Sequence, residues 1–168
     1  SVPVIDLIYA GFQVATQPPC FLGGIDLLGG KMGADASALA ALGFASVVMD
    51  GRGTSGRSKA FRQWTQGHGH TPRGLEDHVA AITALAERYP VLDLSRVGVT
   101  GHSYGGYNSA RCMLMFPEFF KVAVSSAGVH APEKMPKGMW GWHLGTTPSR
   151  QSAQYDGLGN VILAARLH

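Results

Sequence analysis

Long apolar runs are missing from this sequence, and so are clusters of positive charge. The longest apolar stretch, 39–49, is interrupted by Gly43 and Ser46 and falls well short of the roughly 20 residues that span a bilayer, so no membrane span is predicted. The 14 basic and 11 acidic residues, a formal net charge of +3, are scattered along the chain. Nucleic acid is therefore not expected as a partner.

Cysteine is also scarce, and a signal peptide is not evident. Cys20 and Cys112 are the only two cysteines. They lack metal-ligand spacing and do not indicate a redox compartment, so each is expected to be a small buried residue. The opening stretch 1–5 lacks a basic region and resembles a strand already under way, so we expect the natural amino terminus upstream. A length of 168 residues with 45% apolar content suits one cored domain.

Predicted strands and helices alternate along the chain. The apolar run 44–50 is typical of a parallel strand that is buried on both faces. Apolar positions at Leu75, Val79, Ile82, Ala86 and Tyr89 form one helical stripe, which Pro90 closes. Further elements are strands over 4–9, 96–100 and 121–125, a helix that ends at Gly43, a helix over 103–115 and a short helical pattern over 160–167. After Ala127 the frequent prolines and glycines predict an irregular excursion. This order is that of an α/β protein with a parallel sheet.

A glycine-flanked serine stands between a predicted strand and a predicted helix, in the sequence Gly101-His102-Ser103-Tyr104-Gly105. In this setting a sharp turn forces the serine into a strained backbone conformation that exposes its hydroxyl. The two glycines are needed because a β-carbon at either place would collide with neighbouring backbone. The backbone N–H of Tyr104 would then point to the place where an oxyanion forms. The alternative is an ordinary helix start in which the serine is only the N-cap.

The motif extends to Gly106-Tyr107 and is joined by upstream blocks at 3–11 (Pro3-Val4-Ile5-Asp6 through Tyr9-Ala10-Gly11) and 50–57 (Asp50-Gly51-Arg52-Gly53-Thr54-Ser55-Gly56-Arg57). Leu75-Glu76-Asp77, 93–97 and 119–121 add to the pattern. In this order the blocks resemble the catalytic domain of the prolyl oligopeptidase family, in the branch of the dipeptidyl peptidase IV-like enzymes. The resemblance covers residue 2 to about residue 126.

The resemblance implies an α/β-hydrolase fold, here incomplete at both ends, with a β-propeller elsewhere in a longer chain. It implies a serine peptidase that cleaves short peptides through an acyl-enzyme on Ser103, without a metal or other cofactor, and a full-length protein that is a homo-oligomer. Carried over by position, Tyr104 supplies a backbone oxyanion donor. Tyr9 matches the tyrosine whose hydroxyl is the second donor, although a tyrosine at a strand end also packs well on a sheet.

Two features depart from the family pattern. The stretch 133–138 contains no tyrosines that match the aromatic pair lining the proline pocket of this branch, so post-proline specificity is not predicted. Trp140 and Trp142, with Tyr155, could form a different substrate-binding wall, or pack elsewhere as buried aromatics.

The second departure concerns the acid and the base, which in this fold follow the serine. The carboxylates after Ser103 are Glu118, Glu133 and Asp156, and none ends a predicted strand. We therefore expect the triad acid and histidine to lie beyond His168, and the 168-residue chain alone to be inactive, because an unactivated serine is a weak nucleophile. The strand over 122–125 should then form a bare sheet edge unless other segments or chains complete the sheet.

Other polar residues have simpler interpretations. His68 and His70 lack further ligands at metal-binding spacing and suit a solvated loop. His102 is expected to shape the turn rather than to serve as the base. Arg52 and Arg57 could hold a substrate carbonyl or carboxylate, but arginines in a glycine-rich loop more often brace it or pair with a propeller. Two further functions stay open: a carboxylesterase or lipase, since the fold does not fix the leaving group, and a non-catalytic module of the same fold.

Overall fold

The described strands are parallel and form a sheet of four, in the order β2-β1-β3-β4. The computed structural model describes residues 1–11, 14–17, 29–64, 74–134 and 157–166. The strands are β1 (Val2–Leu7), β2 (Ala45–Val47), β3 (Leu92–His102) and β4 (Phe120–Ser126). The helices are α1 (Gly29–Ala41), α2 (Lys59–Gln63), α3 (Leu75–Arg88) and α4 (Tyr104–Met115), with short 3-10 helices at Pro132–Lys134 and Val161–Arg166. The predicted α/β order is confirmed.

Strand β3 is longer than its apolar segment predicts because both of its ends find partners. At its start Leu92 pairs with Val2 of β1, and at its end His102 pairs with Ser126 of β4. Backbone pairing does not depend on side-chain polarity, so polar residues at both ends are recruited into the strand. The strand thus runs directly into the serine turn.

Strand β2 differs from its prediction in length and in burial. Only Ala45–Val47 is strand, and its residues are half-buried. Among the described residues, β2 pairs with β1 alone and lies at one edge of the described sheet. In this part of the chain its apolar residues are therefore only partly covered.

Helix α3 covers the sheet with the predicted stripe, and one polar residue joins it. Leu75 and Ile82 are buried, while Tyr89 at the helix end is 48% exposed. The unforeseen member is His78, which is fully buried because its Nδ1 lies 2.8 Å from Oδ2 of Asp6 in β1. This buried pair ties α3 to the central strand β1.

The helix ends follow the sequence signals. Helix α1 ends at Ala41, and Gly43 just beyond it has φ 91°, the left-handed conformation that glycine adopts without strain. Helix α3 ends at Arg88, ahead of Pro90. Cys112 is buried in the main core, as predicted, whereas Cys20 lies outside the described residues.

The opposite edge of the described sheet is β4, the strand expected at a sheet edge. Val122 is 55% exposed and Val124 is 59% exposed. Among the described helices, none has the length and apolar character needed to cross a membrane.

Candidate active site

The serine turn lies where the carboxyl ends of β1, β3 and β4 meet. Chain order reverses between β1 and β3, because β2 lies on one side of β1 and β3 on the other. Such a switch point opens a crevice at the carboxyl ends of the strands, where α/β proteins bind their ligands. Tyr9 follows β1 and Ser103 follows β3, so the sheet brings these two predicted site residues to the same crevice.

Ser103 has the strained conformation that the motif predicts. Its φ is 58° and its ψ is −114°, and the residue is exposed. It stands at the N-cap position of α4, but its side chain makes no capping hydrogen bond, so it does not perform the usual work of an N-cap serine. Its backbone is held on both sides: its N–H donates to Ser126 O at 2.8 Å, and its carbonyl accepts from Tyr107 N at 3.0 Å.

The two motif glycines are required by a single carbonyl group. A β-carbon on Gly101 or on Gly105 would lie 2.2 Å from the carbonyl oxygen of Ile8. The Ile8 N–H donates to Thr100 O at 2.9 Å, so this oxygen belongs to a fixed part of the sheet. The expected collision with neighbouring backbone is confirmed, and the spacing of the motif follows from the carbonyl that fits between its two glycines.

A hydrogen bond to its carbonyl holds Tyr9 in place, and the absence of a β-carbon at Gly11 leaves room for its ring. The side chain of buried Asn108 in α4 donates from Nδ2 to Tyr9 O at 2.8 Å. A β-carbon on Gly11 would lie 2.5 Å from Cε1 of the Tyr9 ring. The Tyr9 and Tyr104 rings are tilted against each other, with centroids 6.2 Å apart. The position of Tyr9 is therefore fixed from α4 as well as from β1.

Tyr104, the first residue of α4, packs its ring near those of two other tyrosines. Its centroid lies 5.5 Å from that of Tyr107 and 6.2 Å from that of Tyr9. Burial raises the pKa of Tyr104, and burial also raises the pKa of Tyr107 to about 12. Both phenols therefore stay neutral near physiological pH. The Tyr107 hydroxyl donates to Leu158 O at 2.8 Å, which joins the segment 157–160 to the helix.

Backbone strain is concentrated around this crevice. Within the described ranges, the non-glycine residues with positive φ are Ala10 at 51°, Ser103 at 58° and Ala127 at 49°. One follows each of β1, β3 and β4. Strained residues of this type cost about 1–3 kcal/mol each and cluster at functional sites. Three at the same end of one sheet mark this end as the candidate site.

The described histidines have hydrogen-bond partners other than Ser103. His78 pairs with Asp6 in the core, and His102 Nδ1 lies 2.9 Å from Ser126 Oγ. His130 contacts Ser125 and Asn160. In the part of the chain that the structure describes, no group of three or more residues could hold a metal ion. His68, His70, Trp140, Trp142 and Tyr155 lie outside the described residues.

The loop after β2 is braced by Arg52. Arg52 donates from Nε and Nη2 to the Asp77 carboxylate, at 2.9 and 2.6 Å, and its guanidinium lies 4.3 Å from the centroid of Trp64. Desolvation favours the neutral form of Asp77, but the hydrogen bonds and charge of Arg52 outweigh it and lower the pKa of Asp77. The guanidinium carbon of Arg57 lies 5.0 Å from the centroid of the Phe61 ring. Both arginines thus contact their own region of the fold.

Several residues that shape the site carry no motif of their own. Asn108 fixes Tyr9, and Ser126 fixes Ser103. Asn160 is 4% exposed and donates a hydrogen bond to the Tyr107 carbonyl of α4, although it is distant from this helix in sequence. A polar residue on the inner face of a helix is a weak signal for Asn108. The others become visible only when β4 and the segment 157–160 are placed beside α4.

Comparison with known proteins identifies relatives for most of this chain. The family model described as the prolyl oligopeptidase family matches residues 31–165. Human dipeptidyl peptidase 8 is 32% identical over 130 residues, which cover 76% of this chain and 14% of that protein. Dipeptidyl peptidase family member 1 of Caenorhabditis elegans is 41% identical over 83 residues, or 48% of this chain and 10% of that protein. The chain thus spans a small part of the length of these relatives.

Solved structures share the fold. A candidate dipeptidyl aminopeptidase IV from Bacteroides ovatus superposes with a TM-score of 0.80 at 30% identity, over 99% of this chain and 22% of that one. The dipeptidyl peptidase 4 of Porphyromonas gingivalis gives a TM-score of 0.76 at 24% identity, with the same coverage of both chains, and supports the fold. The predicted α/β-hydrolase fold is confirmed.

Proposed function

This chain belongs to the prolyl oligopeptidase family, and we propose that it forms part of the catalytic domain of a serine peptidase whose nucleophile is Ser103. The observation that carries the proposal is the conformation of Ser103. Ser103 is a non-glycine residue at φ 58°, and it is exposed between a strand and a helix. Its side chain makes no capping hydrogen bond, so its hydroxyl does not stabilise the start of the helix. That is the arrangement a nucleophile elbow requires.

The proposed reaction is acyl transfer in two steps. The Ser103 oxygen attacks the carbonyl carbon of the scissile peptide bond while a base removes the hydroxyl proton, and the same group then protonates the departing amine. Water hydrolyses the resulting ester and regenerates the serine. The Tyr104 backbone N–H and the Tyr9 hydroxyl are the proposed donors to the oxyanion. The fixed backbone of Tyr9 supports this role, because oxyanion donors act through preorganisation.

The base and its acid partner are proposed to belong to the full-length protein outside these 168 residues, as is a propeller that limits substrates to short peptides. The engagement of His78, His102 and His130 with other partners supports this assignment of the base. The relatives named as dipeptidyl peptidases favour release of dipeptides from amino termini. Trp140 and Trp142 remain proposed substrate contacts.

A fluorophosphonate probe tests the proposal on the full-length protein. We expect one labelled serine, and we expect Ser103→Ala to abolish both labelling and peptide hydrolysis, with a loss in kcat of about 10⁶-fold. Ser55→Ala, a serine substitution in the loop after β2, is the control and should label like the wild type. Labelling that persists in Ser103→Ala would contradict the assignment.

The main rival is a carboxylesterase on the same fold, which the elbow accommodates equally well. Dipeptidyl amide and ester substrates with the same acyl group separate the two functions. Turnover of both supports a peptidase, and turnover of the ester alone supports the rival. No labelling of the correctly folded full-length protein would favour the non-catalytic module.

A further inference from the structure

Ser125, His130 and Asn160 form a row beside the nucleophile turn, at the end of β4. Ser125 Oγ lies 3.2 Å from Nε2 of His130, and Nδ1 of the same ring lies 3.0 Å from Nδ2 of Asn160. By composition this is a serine, a histidine and an amide in the order that a catalytic triad uses. The direction of each hydrogen bond decides whether the row acts as one.

The orientation of the Asn160 amide is fixed by two other partners. Its nitrogen lies 2.9 Å from the carbonyl oxygen of Tyr107, a group that only accepts. Its oxygen lies 3.4 Å from Nη1 of Arg111, a group that only donates. The nitrogen must therefore face His130 as a donor, and Nδ1 of His130 must accept through its lone pair. The imidazole is then neutral, with its proton on Nε2.

The rest of the row follows from this proton. The Nε2–H group of His130 donates to Ser125 Oγ, and the Ser125 hydroxyl donates to Gly106 O at 2.7 Å. All hydrogen bonds thus run one way, from Asn160 to a backbone carbonyl in the first turn of α4. His130 presents a proton, not a lone pair, to the serine, so it cannot serve Ser125 as a base.

The row holds the segment that fixes Ser103. Ser126 follows Ser125 directly, and its carbonyl oxygen accepts the Ser103 N–H at 2.8 Å. The same oxygen would lie 2.3 Å from a β-carbon on Gly106, so β4 and α4 touch at this point. The chain then turns through the strained Ala127 and returns as His130.

We propose that His130, held as the neutral Nε2–H tautomer between Asn160 and Ser125, is a positioning residue for Ser103. It keeps Ser125 and Ser126 against the first turn of α4, and through Ser126 it fixes the backbone of the nucleophile. The positioning role rests on the proposed function, whereas the tautomer rests on hydrogen-bond geometry alone.

The tautomer is tested in the unmodified protein. Full-length protein labelled with nitrogen-15 histidine gives long-range proton–nitrogen spectra that distinguish the two neutral tautomers from the cation, and His130→Gln assigns the resonance. We expect the Nε2–H form near neutral pH. A proton on Nδ1 would overturn the proposal, because Asn160 could not then donate to the ring.

The positioning role is tested by substitution. We expect His130→Ala to slow fluorophosphonate labelling and to lower kcat by about tenfold to a hundredfold, the size of effect that a small misplacement of reacting groups produces, with KM within about twofold. His130→Gln, whose amide can still donate to Ser125, should recover part of the loss. Ser95→Ala, at the other end of β3, should leave both rates unchanged.

The outcomes separate the two proposals. If the wild-type protein is not labelled at Ser103, the proposed function fails, and the tautomer measurement still stands. If the wild-type protein is labelled and His130→Ala keeps its rate, the positioning role is wrong. A loss that appears in KM alone, or one that His130→Gln does not relieve at all, would also contradict it.

Discussion

Replacing Gly105 by alanine tests whether the approach of α4 to β1 sets the geometry of the site. Gly105 is buried in the first turn of α4. In an unconstrained helix this change stabilises by about 0.8–1.0 kcal/mol, because alanine is the better helix former. Here the added β-carbon would lie 2.2 Å from Ile8 O and 3.2 Å from the Ile8 carbonyl carbon. Helix propensity therefore predicts that Gly105→Ala stabilises the protein, whereas the steric contact predicts that it destabilises it.

The steric effect should dominate, because neither side of this contact can move at a low cost in free energy. The separation from Ile8 O must grow from 2.2 Å to at least 3.0 Å, and both sides are backbone. Forcing extra volume into a packed interior costs about 1–3 kcal/mol, and this contact belongs at the upper end. A net loss of about 2 kcal/mol corresponds to a decrease in Tm of about 4–8 °C for a domain of roughly 150–250 residues.

Thermal unfolding of the full-length protein and the rate of fluorophosphonate labelling are the two assays. We expect Gly105→Ala to lower both, because the displaced turn carries Ser103. Gly43→Ala is the matched control: its β-carbon meets nothing within 4 Å, but its φ of 91° strains alanine. It should lower Tm by a few degrees and leave labelling unchanged. A Gly105→Ala protein with raised Tm and normal labelling would show that the approach of α4 to β1 does not set the geometry of the site.

Two further predictions concern Tyr9 and His78. Tyr9→Phe should lower kcat by about 10²–10³-fold through loss of one oxyanion donor. Tyr89→Phe, on an exposed ring, is the control and should have no effect. An equal kcat in both variants would remove Tyr9 from the mechanism. Burial disfavours the His78 cation, but the charge and hydrogen bond of Asp6 outweigh it and raise the pKa of His78 above 6.5. The pair therefore stabilises the protein fully below about pH 6.5 and less as pH rises through the higher pKa of the folded state. The loss of stability in His78→Gln, about 3 kcal/mol or more at pH 6, should shrink at pH 9, and unfolding curves that show the reverse trend would contradict the assignment.

Much of the fold could be predicted from local pattern. The serine motif, its flanking strand and helix, and the stripe of α3 are determined by residues near one another in sequence, because turns and helices are local structures. The burial of strands at the edges of the described sheet is harder to predict from local pattern. The run around β2 is apolar enough for a central strand, and among the described residues it pairs with β1 alone and is half-buried.

The local pattern of residues is enough to place Ser103 at a sharp turn between a strand and a helix, because its glycine spacing and its apolar strand are close in sequence. The contacts that hold this turn are found only in the folded protein. The Ile8 carbonyl enters between Gly101 and Gly105, and Asn160 sets the proton of His130 from a segment far along the chain. Such contacts join residues that are distant in sequence, and the direction of a hydrogen bond depends on every partner around it.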